Sequence, residues 1–301
     1  MTLILETKCV ILILMNYDPK TNKYPYPINT DAHYLVVKKN NGTVFDENYP
    51  YIDNSKKAVR NRRFVRLLLH IVVLPFTTIK LGLKIQGREN LKKHKEDIDK
   101  GVISISNHVH LFDYLSIIKG IKPYKPNVIV WAPNMRGENA KMIRSVGGIP
   151  IPENNISATR AYIKTIKNHI LEGNWLHIYA EGSMWEYYYP IRPFKKGASY
   201  FAIETNRPII PLAFSYRKAS WIRRKVFKQP ACFTLNIGEP IYPNMELPKH
   251  DRELDLTKRC HDEVCRLAGI DPEENIYEPI FNDSKRIDYY TNEYGVGYKK
   301  K

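Results

Sequence analysis

The feature that most constrains this chain is the alternation of short apolar runs with longer amphipathic stretches beyond Gly101. Short runs rich in β-branched and aromatic residues are typical of strands, and the longer stretches have the periodicity of helices. The predicted strands are Val102–Ser106, Val128–Trp131, Trp175–Tyr179, Ile209–Phe214 and Cys232–Ile237, and the clearest predicted helices are 137–146, 156–172, 197–205 and 251–268. This alternation predicts an α/β domain with a largely parallel central sheet flanked by helices, whose sites lie where strands end and helices begin.

Composition and length indicate one large domain with additions at both ends. The 301 residues are 43% hydrophobic and 26% charged, which excludes a wholly disordered chain and a multispanning membrane protein. We divide the sequence into an N-terminal appendage (1–57), a main domain (58–270) and a polar C-terminal tail (271–301). In the appendage, Asn41-Gly42 between two short apolar runs predicts a hairpin. The apolar run 9–15 is too short to span a bilayer and lacks a cleavage site, so we interpret it as a buried strand rather than a signal peptide.

Charge narrows the range of partners. The chain has 47 Lys and Arg against 31 Asp and Glu, a formal net charge of +16. Such a protein is expected to meet an anionic partner, which can be nucleic acid, an acidic lipid surface or an acidic carrier protein. A basic run without acids between Glu204 and Glu239 is a candidate contact for such a partner, or else a solvated loop. The four cysteines form no disulfide or zinc spacing, which favours a reducing, cytoplasmic setting.

Residues 58–85 predict a membrane-docking helix. A basic start leads into Phe64–Ile79, which is apolar but for one Arg, one His and two Thr, and Pro75 is expected to kink it. Between Asp53 and Glu89 there is no acid, whereas there are nine Lys or Arg. The apolar run is shorter than the about 20 residues of a spanning helix, so we expect a helix lying in the interface of an anionic leaflet. A solvated basic helix that packs its apolar side on the domain is the alternative.

The first candidate for chemistry is the pair His108 and Asp113, which follows a predicted strand directly. A carboxylate can hold one imidazole nitrogen, so that the other nitrogen takes a proton from a substrate hydroxyl. The same spacing occurs twice more in the chain, and only the position after a strand distinguishes this pair. A structural helix cap is the alternative. The nearby His110 is expected to face solvent.

Other blocks with the same placement follow the first. Glu181, Gly182 and Ser183 come after a predicted strand, where backbone amides can approach a ligand or stabilise an oxyanion beside a carboxylate. A Gly-Pro-rich block at 147–153 lies upstream of them. Basic residues at 195–196 and a strand bracketed by Pro208 and Pro211 lie downstream.

Taken in order, these blocks resemble the glycerolipid acyltransferase superfamily, whose best-known members are the 1-acyl-glycerol-3-phosphate (lysophosphatidic acid) acyltransferases. The resemblance runs from about Phe64 to Pro240 and includes the lead-in Leu83–Leu91. It implies a membrane-docking helical motif ahead of an α/β domain, and direct transfer of a fatty acyl chain to a lysolipid hydroxyl. The donor would be an acyl-coenzyme A or acyl carrier protein thioester, with no metal or other cofactor and no nucleic acid. The implied location is the cytoplasmic face of a membrane, peripheral or monotopic.

The resemblance also implies a role for each block. His108 would be the general base, and Asp113 would orient it. The acceptor site would include Glu181, Gly182 and Ser183. The acyl-donor side would include Pro208 and Pro211.

Two departures from the family pattern concern the acceptor. Glu153 and Met184 stand where the family has arginines that grip the acceptor's phosphate, and neither residue supplies a bidentate guanidinium. The basic residues near these blocks are candidates to replace them, and they are Arg144, Arg192, Lys195 and Lys196. We expect 1-acyl-glycerol-3-phosphate as acceptor, giving phosphatidic acid, with another lysolipid or a glycolipid as the alternative.

Two hypotheses from other functional classes compete with acyl transfer. A metal-dependent hydrolase would use His108 and His110 as ligands, and the candidates for its further ligands are the downstream histidines His169 and His177. A nucleic-acid-binding protein would use the basic runs and stack bases on some of the 21 tyrosines. The aromatic cluster 185–189 suits such a platform or the wall of an acceptor site.

Overall fold

The computed structural model of the chain describes residues 40–153, 155–188, 190–227, 229 and 231–275, together with the backbone of two strands at 288–292 and 295–299. The predicted strand 9–15 and the first half of the predicted hairpin lie outside these residues. Within them, the helices are α1 (Lys56–Leu81), α2 (Arg88–Lys93), α3 (Lys95–Asp99), α4 (Asp113–Gly120), α5 (Ala140–Ser145), α6 (Ile156–Leu171), α7 (Gly197–Thr205), α8 (Trp221–Val226) and α9 (Lys249–Ala268). The strands are β1 (Lys84–Gln86), β2 (Val102–Ser106), β3 (Asn127–Val130), β4 (Gly148–Pro150), β5 (Trp175–Tyr179), β6 (Ile209–Lys218), β7 (Ala231–Ile237), β8 (Asp288–Asn292) and β9 (Gly295–Lys299).

The first seven strands form one sheet in the order β1-β7-β6-β2-β5-β3-β4. Neighbours pair in parallel, except that β6 and β7 are antiparallel. The predicted α/β fold with a largely parallel central sheet is confirmed. The polar C-terminal tail contributes the separate antiparallel pair β8 and β9.

Helices cover both faces of the sheet. On one face, Leu81 of α1, Leu91 of α2 and Ile117 of α4 pack against β6 and β7. On the other face, α6, α7 and α9 bury apolar side chains that include Ile166 and Val264. The strands β2 and β6 are therefore covered from both sides, which explains why all five residues of β2 and the first six residues of β6 are buried.

The appendage joins the main domain where the structure describes it. Phe45 and Tyr51 are buried, and the Tyr51 ring lies edge-on to Tyr162 of α6, with ring centres 5.5 Å apart. The described half of the predicted hairpin, residues 43–45, is not a strand. The side chain of Asn41 accepts the backbone N–H of Thr43 at 3.0 Å, so a local turn satisfies the backbone in place of a ladder.

The docking helix predicted at 58–85 is one continuous helix, Lys56–Leu81, which extends beyond the apolar run Phe64–Ile79 at both ends. Ser55 caps its start by accepting from the Ala58 N–H, and the helix runs 26 residues to Leu81. A π-helical turn at Leu69–Val73 precedes Pro75 and accommodates it, because the wider turn relaxes the hydrogen-bond ladder that proline disrupts. Among the described residues, α1 is the one helix long and apolar enough to cross a membrane by length and composition.

One face of α1 is attached to the domain along most of its length. Leu69, Leu74, Thr77 and Leu81 are buried. Polar contacts continue the attachment at both ends, where Asn61 donates to Ser145 Oγ at 2.9 Å and Lys119 donates to Thr78 Oγ1 at 2.6 Å. A helix packed sideways on a folded domain in this way is placed to lie along a surface rather than to pass through one.

Candidate active site

His108 and Asp113 form a hydrogen-bonded pair at the carboxyl edge of the sheet. β2 ends at Ser106, His108 follows in the loop, and Asp113 begins α4. The distance between His108 Nδ1 and Asp113 Oδ2 is 2.8 Å. The same carboxylate oxygen accepts the backbone N–H groups of Val109 and His110, at 3.1 and 3.3 Å. Asp113 therefore fixes both the loop and the ring, and it leaves Nε2 of His108 as the nitrogen available to a substrate.

Tyr179, at the end of β5, completes this arrangement and was not predicted as a site residue. Its hydroxyl donates to Asp113 Oδ1 at 2.5 Å, and its ring stacks on His108 with centres 3.7 Å apart and planes 11° apart. Burial of Asp113 opposes ionisation, but the charge of His108 and the hydrogen bonds from His108 and Tyr179 outweigh it, so the pKa of Asp113 is lowered. The carboxylate is thus held ionised opposite the imidazole.

Two sets of backbone contacts hold the His108 loop in position. Asn107 is buried, and its side chain donates to Phe214 O at 3.0 Å and accepts from Phe214 N at 2.8 Å. This side chain extends the hydrogen bonding between β2 and β6 beyond the last pair of backbone partners. On the other side, His108 O accepts the Trp185 N–H at 3.0 Å, and Val109 O accepts the Tyr187 N–H at 2.9 Å. The histidine therefore sits on a rigid loop.

Glu181 and Arg192 form a buried ion pair beneath the site. Arg192 Nη2 lies 2.9 Å from Glu181 Oε2, and their side chains are 3% and 2% exposed. Glu181 also accepts the backbone N–H groups of His108 and Arg192, at 2.9 and 2.8 Å. Arg192 in turn donates to the Ser183 hydroxyl at 2.8 Å and to the Ser183 carbonyl. The structure therefore places Glu181, Ser183 and Arg192 beside His108, but with their polar groups directed at one another.

Gly182 forms the turn of this block. It has φ of +83°, which favours glycine, and its N–H donates to Tyr179 O at 3.0 Å. That amide was expected to be a candidate oxyanion donor, but the turn itself uses it. A Cβ at Gly182 would come within 2.8 Å of Lys195 Cε, so Lys195 lies against this turn. Lys195 and Lys196 are exposed, and Lys196 precedes α7.

The structure does not bring Arg144 to the site. It lies in α5, which leads into the amino end of β4, whereas His108 follows the carboxyl end of β2. Its guanidinium lies over the ring of Tyr49, 5.6 Å from the ring centre. Closeness in sequence to the 147–153 block therefore did not translate into closeness to the histidine.

A different arginine, missed in the sequence, reaches the first of the two replaced positions. Arg136 Nη1 lies 2.6 Å from Glu153 Oε2, and Arg136 Nε donates to Thr43 O at 2.9 Å. The charge of this guanidinium is neutralised by its partner. The second replaced position, Met184, is buried.

Pro208 and Pro211 are buried in or next to β6, away from the histidine. Pro208 O accepts the Ile103 N–H at 3.2 Å, and Pro211 pairs with Ile105. At about 3.3 Å per residue, Pro211 lies about 10 Å below the level of His108, and Pro208 about 20 Å below. The structure does not bring these prolines together with the pair of His108 and Asp113.

The remaining histidines of the site region are buried and have partners. His110 was expected to face solvent, but it is 5% exposed. Its Nδ1 accepts the Phe112 N–H at 3.0 Å, and its Nε2 lies 3.5 Å from Glu186 Oε1. His177 Nδ1 lies 2.9 Å from Ser104 Oγ. No group of three or more His, Cys, Asp or Glu that could hold a metal ion occurs among the described residues.

The predicted aromatic platform is part of the core. Trp185, Tyr187 and Tyr188 are at most 1% exposed, and Tyr189 lies outside the described residues. Tyr216 donates its hydroxyl to Tyr188 O at 2.8 Å, which ties this cluster to β6. Rings buried in this way cannot stack on bases, so these three residues are not the predicted stacking platform.

Comparison with known proteins shows what part of the chain is similar to. Residues 82–215 match the family model described as Acyltransferase. Among solved structures, the chain is similar to the 1-acyl-sn-glycerophosphate (LPA) acyltransferase PlsC from Thermotoga maritima, with 19% sequence identity, a TM-score of 0.44, and coverage of 73% of this chain and 84% of that chain. No curated protein matches the chain. The family match spans the described elements from the end of α1 into β6, and the resemblance predicted from the motifs is confirmed there.

Proposed function

We propose that this protein transfers a fatty acyl chain from an acyl thioester to the free hydroxyl of a lysophospholipid, because residues 82–215 match the family model described as Acyltransferase. The observation that carries the proposal is the pair His108 and Asp113, joined at 2.8 Å at the carboxyl edge of β2 within the matched segment. A buried carboxylate and an oriented imidazole are what a hydroxyl nucleophile needs from a general base.

The proposed reaction moves one proton through His108 and returns it to the leaving group. His108 Nε2 takes the proton of the lysolipid hydroxyl as the oxygen attacks the thioester carbonyl carbon. The carbonyl becomes a tetrahedral oxyanion, which collapses as the carbon–sulfur bond breaks. The thiolate leaves and receives the proton from the imidazolium. Asp113 stabilises the imidazolium between the two proton transfers. The acyl donor is a thioester of coenzyme A or of acyl carrier protein, and a chain of net charge +16 attracts either of these acidic carriers.

The acceptor we favour is 1-acyl-glycerol-3-phosphate. Two exposed cations close to the site block are Lys195, which lies against Gly182, and Lys196, the next residue along the chain. A lysine binds phosphate as a point charge, without the fork geometry of arginine. On this proposal these two lysines supply the charge that the missing arginines supply in the family.

A second acceptor class has support of its own. Arg192 is buried in its pair with Glu181, and Arg136 is paired with Glu153, so both guanidiniums near the replaced positions are already neutralised. A lysolipid or glycolipid with an uncharged head group would not need a free guanidinium. The mechanism is the same in both cases, and only the acceptor differs.

We place the enzyme at the cytoplasmic face of a membrane, with α1 lying on an anionic leaflet. The outward face of α1 carries Phe64, Leu67, Leu68, Ile71, Val72, Phe76 and Ile79, each an exposed apolar side chain. Their spacing follows one helical stripe about 24 Å long. An apolar stripe of this length beside a cluster of Lys and Arg is typical of a helix that lies in a lipid interface.

The test is acyl transfer by the purified full chain, beside His108→Ala, with acyl-coenzyme A or acyl carrier protein donors and lysolipids with and without a phosphate monoester. We expect transfer that falls by about 10²–10⁴-fold in His108→Ala. If Lys195→Ala/Lys196→Ala raises the KM only for the acceptor that carries a phosphate monoester, these lysines recognise the phosphate. If the unaltered chain transfers to neutral acceptors as fast as to phosphate-bearing ones, the second acceptor class is favoured. Absence of transfer to every acceptor by folded protein would overturn the proposal.

A further inference from the structure

The short helix α8, which connects β6 to β7, presents an unusually apolar surface. Trp221, Ile222 and Val226 are 61%, 59% and 66% exposed, and none of the six residues of the helix is buried. The helix is nevertheless well formed, because Ser220 accepts the Arg223 N–H at 3.3 Å and caps its start. Three large apolar side chains exposed within six residues indicate a surface that is covered by something else in use.

The charges of α8 narrow down what covers it. Arg223, Arg224 and Lys225 lie among the three apolar residues, and no acid occurs between Glu204 and Glu239. Lys225 Nζ lies 4.7 Å from the ring centre of Trp221. Long cationic side chains that reach past apolar ones, together with tryptophan, suit the head-group region of an anionic bilayer. Nucleic acid would neutralise the cations but leave the apolar surface in water.

The position of α8 connects it to α1 and to the site. Arg223 Nη1 donates to Ile79 O at 3.2 Å, and Ile79 is the last member of the exposed stripe on α1. β6 runs four residues beyond Phe214, which pairs with Asn107, so its end at Lys218 lies about 13 Å past that level. The helix therefore projects from the same edge of the sheet that carries His108. On that edge Leu111, between His108 and Asp113, is also an exposed apolar residue.

We propose that α8 is a second lipid-contact element, which binds an anionic bilayer together with α1 and turns the His108 site toward the membrane. A single helix lying on a bilayer leaves the domain free to roll about the helix axis. A second contact away from that axis, beyond the carboxyl edge of the sheet, stops the roll. The proposal rests on the proposed function, because the orientation matters only for an acceptor held in the lipid.

The first experiment reads lipid contact without any activity. The chain has four tryptophans, of which Trp175 and Trp185 are buried and Trp221 is exposed. Phosphatidylglycerol-containing vesicles with brominated acyl chains should quench the fluorescence of the full chain, and Trp221→Phe should bind equally but lose most of that quenching. Equal quenching in Trp221→Phe, or binding without quenching in the unaltered chain, would overturn the proposal.

The second experiment connects α8 to turnover. Ile222→Glu/Val226→Glu should weaken binding to the same vesicles by at least about tenfold, the factor that about 1.4 kcal/mol represents. Acyl transfer to a lysolipid in vesicles should fall in parallel, while transfer to the same lysolipid dispersed in detergent should not change. Ile156→Glu and Leu254→Glu, at exposed apolar positions on α6 and α9 across the sheet from α1, are the matched controls and should behave like the unaltered chain.

The remaining outcomes separate the two proposals. Unchanged vesicle binding by Ile222→Glu/Val226→Glu would mean that α8 does not contact the membrane, and it would overturn the proposal. A dimer in solution without lipid that dissociates in this variant would assign α8 to a second copy of the chain and overturn the proposal. Quenching that depends on Trp221, without acyl transfer even in detergent, would uphold the lipid contact and overturn the proposed function.

Discussion

Asp113 has four hydrogen-bond donors, and the one from Tyr179 can be removed without changing the packing. Tyr179→Phe keeps the ring that stacks on His108 and loses the hydroxyl that donates to Asp113 Oδ1. One buried carboxylate oxygen is left without that donor, which should lower the free energy of unfolding by about 1–3 kcal/mol. The negative charge, no longer shared with the hydroxyl, should stabilise the imidazolium more strongly. We therefore expect the acid limb of the rate profile to move to higher pH, measured as kcat against pH.

The control for this residue is Tyr114, another partly buried tyrosine of the same domain. Tyr114 donates its hydroxyl to Pro126 O at 3.0 Å and makes no hydrogen bond to Asp113. Tyr114→Phe should lose stability by a similar amount, but it should leave the pH profile of kcat in place. If both variants shift the profile equally, the effect comes from general loosening, and Tyr179 has no specific part in positioning the pair.

The helix α1 has two faces that should respond to substitution in opposite ways. Leu74 is buried against the domain, so Leu74→Ala should lower the free energy of unfolding by about 2–5 kcal/mol. Ile71 and Val72 are 64% and 60% exposed, so Ile71→Ser/Val72→Ser should change that free energy by at most about 0.5 kcal/mol per site. The double variant should instead lose affinity for anionic vesicles. Urea unfolding and vesicle flotation measure the two effects.

The contrast between the two faces also tests how α1 meets the membrane. A helix that crosses the bilayer would have to give up its contacts with the domain, and Leu74→Ala would then not destabilise the membrane-bound protein. Loss of stability in Ile71→Ser/Val72→Ser as large as in Leu74→Ala would mean that the stripe is packed within the protein. Either result would contradict a helix that lies in the interface.

At the scale of the whole molecule, sequence patterns predicted the elements that carry a local signal. They missed elements and contacts that depend on residues distant in the sequence. The strands Val102–Ser106 and Trp175–Tyr179 were predicted with their observed bounds, because β-branched and aromatic runs carry their own signal. β4 was missed, because its three residues include Gly148 and Pro150, which disfavour strands, and only pairing with β3 defines it.

The candidate site also combines contacts that the sequence predicts with contacts that it does not predict. His108 and Asp113 are five positions apart, so their pairing could be inferred from spacing after a strand. Tyr179 reaches Asp113 across 66 positions, and Arg136 reaches Glu153 from an unrelated loop. No local pattern encodes such contacts. Arg144 shows the converse, because it is near the motif in sequence yet lies at the opposite end of the sheet from His108.

Three buried histidines should make the whole fold sensitive to mild acid. Burial lowers the pKa of His110 and His177 to about 3 and that of His169 to about 4. In the unfolded chain these imidazoles bind protons near their ordinary pKa of about 6.5. Below that pH the unfolded state therefore binds more protons than the folded state, and stability falls as the pH falls. The lowered pKa of Asp113 acts in the same direction at still lower pH.

Below about pH 6, each of these histidines should lower the free energy of unfolding by about 1.4 kcal/mol for each pH unit of acidification. For the three together the slope is about 4 kcal/mol per pH unit. Urea unfolding at a series of pH values between about 7 and about 5 measures the slope. His177→Gln removes one titrating group and should flatten the slope by about a third, even though it lowers stability at neutral pH. The exposed His250 is the matched control, and His250→Gln should leave the slope unchanged. A slope that is flat over this range, or that is the same in His177→Gln, would mean that the buried imidazoles take up protons in the folded state. That result would oppose the direction in which burial moves the pKa of these histidines.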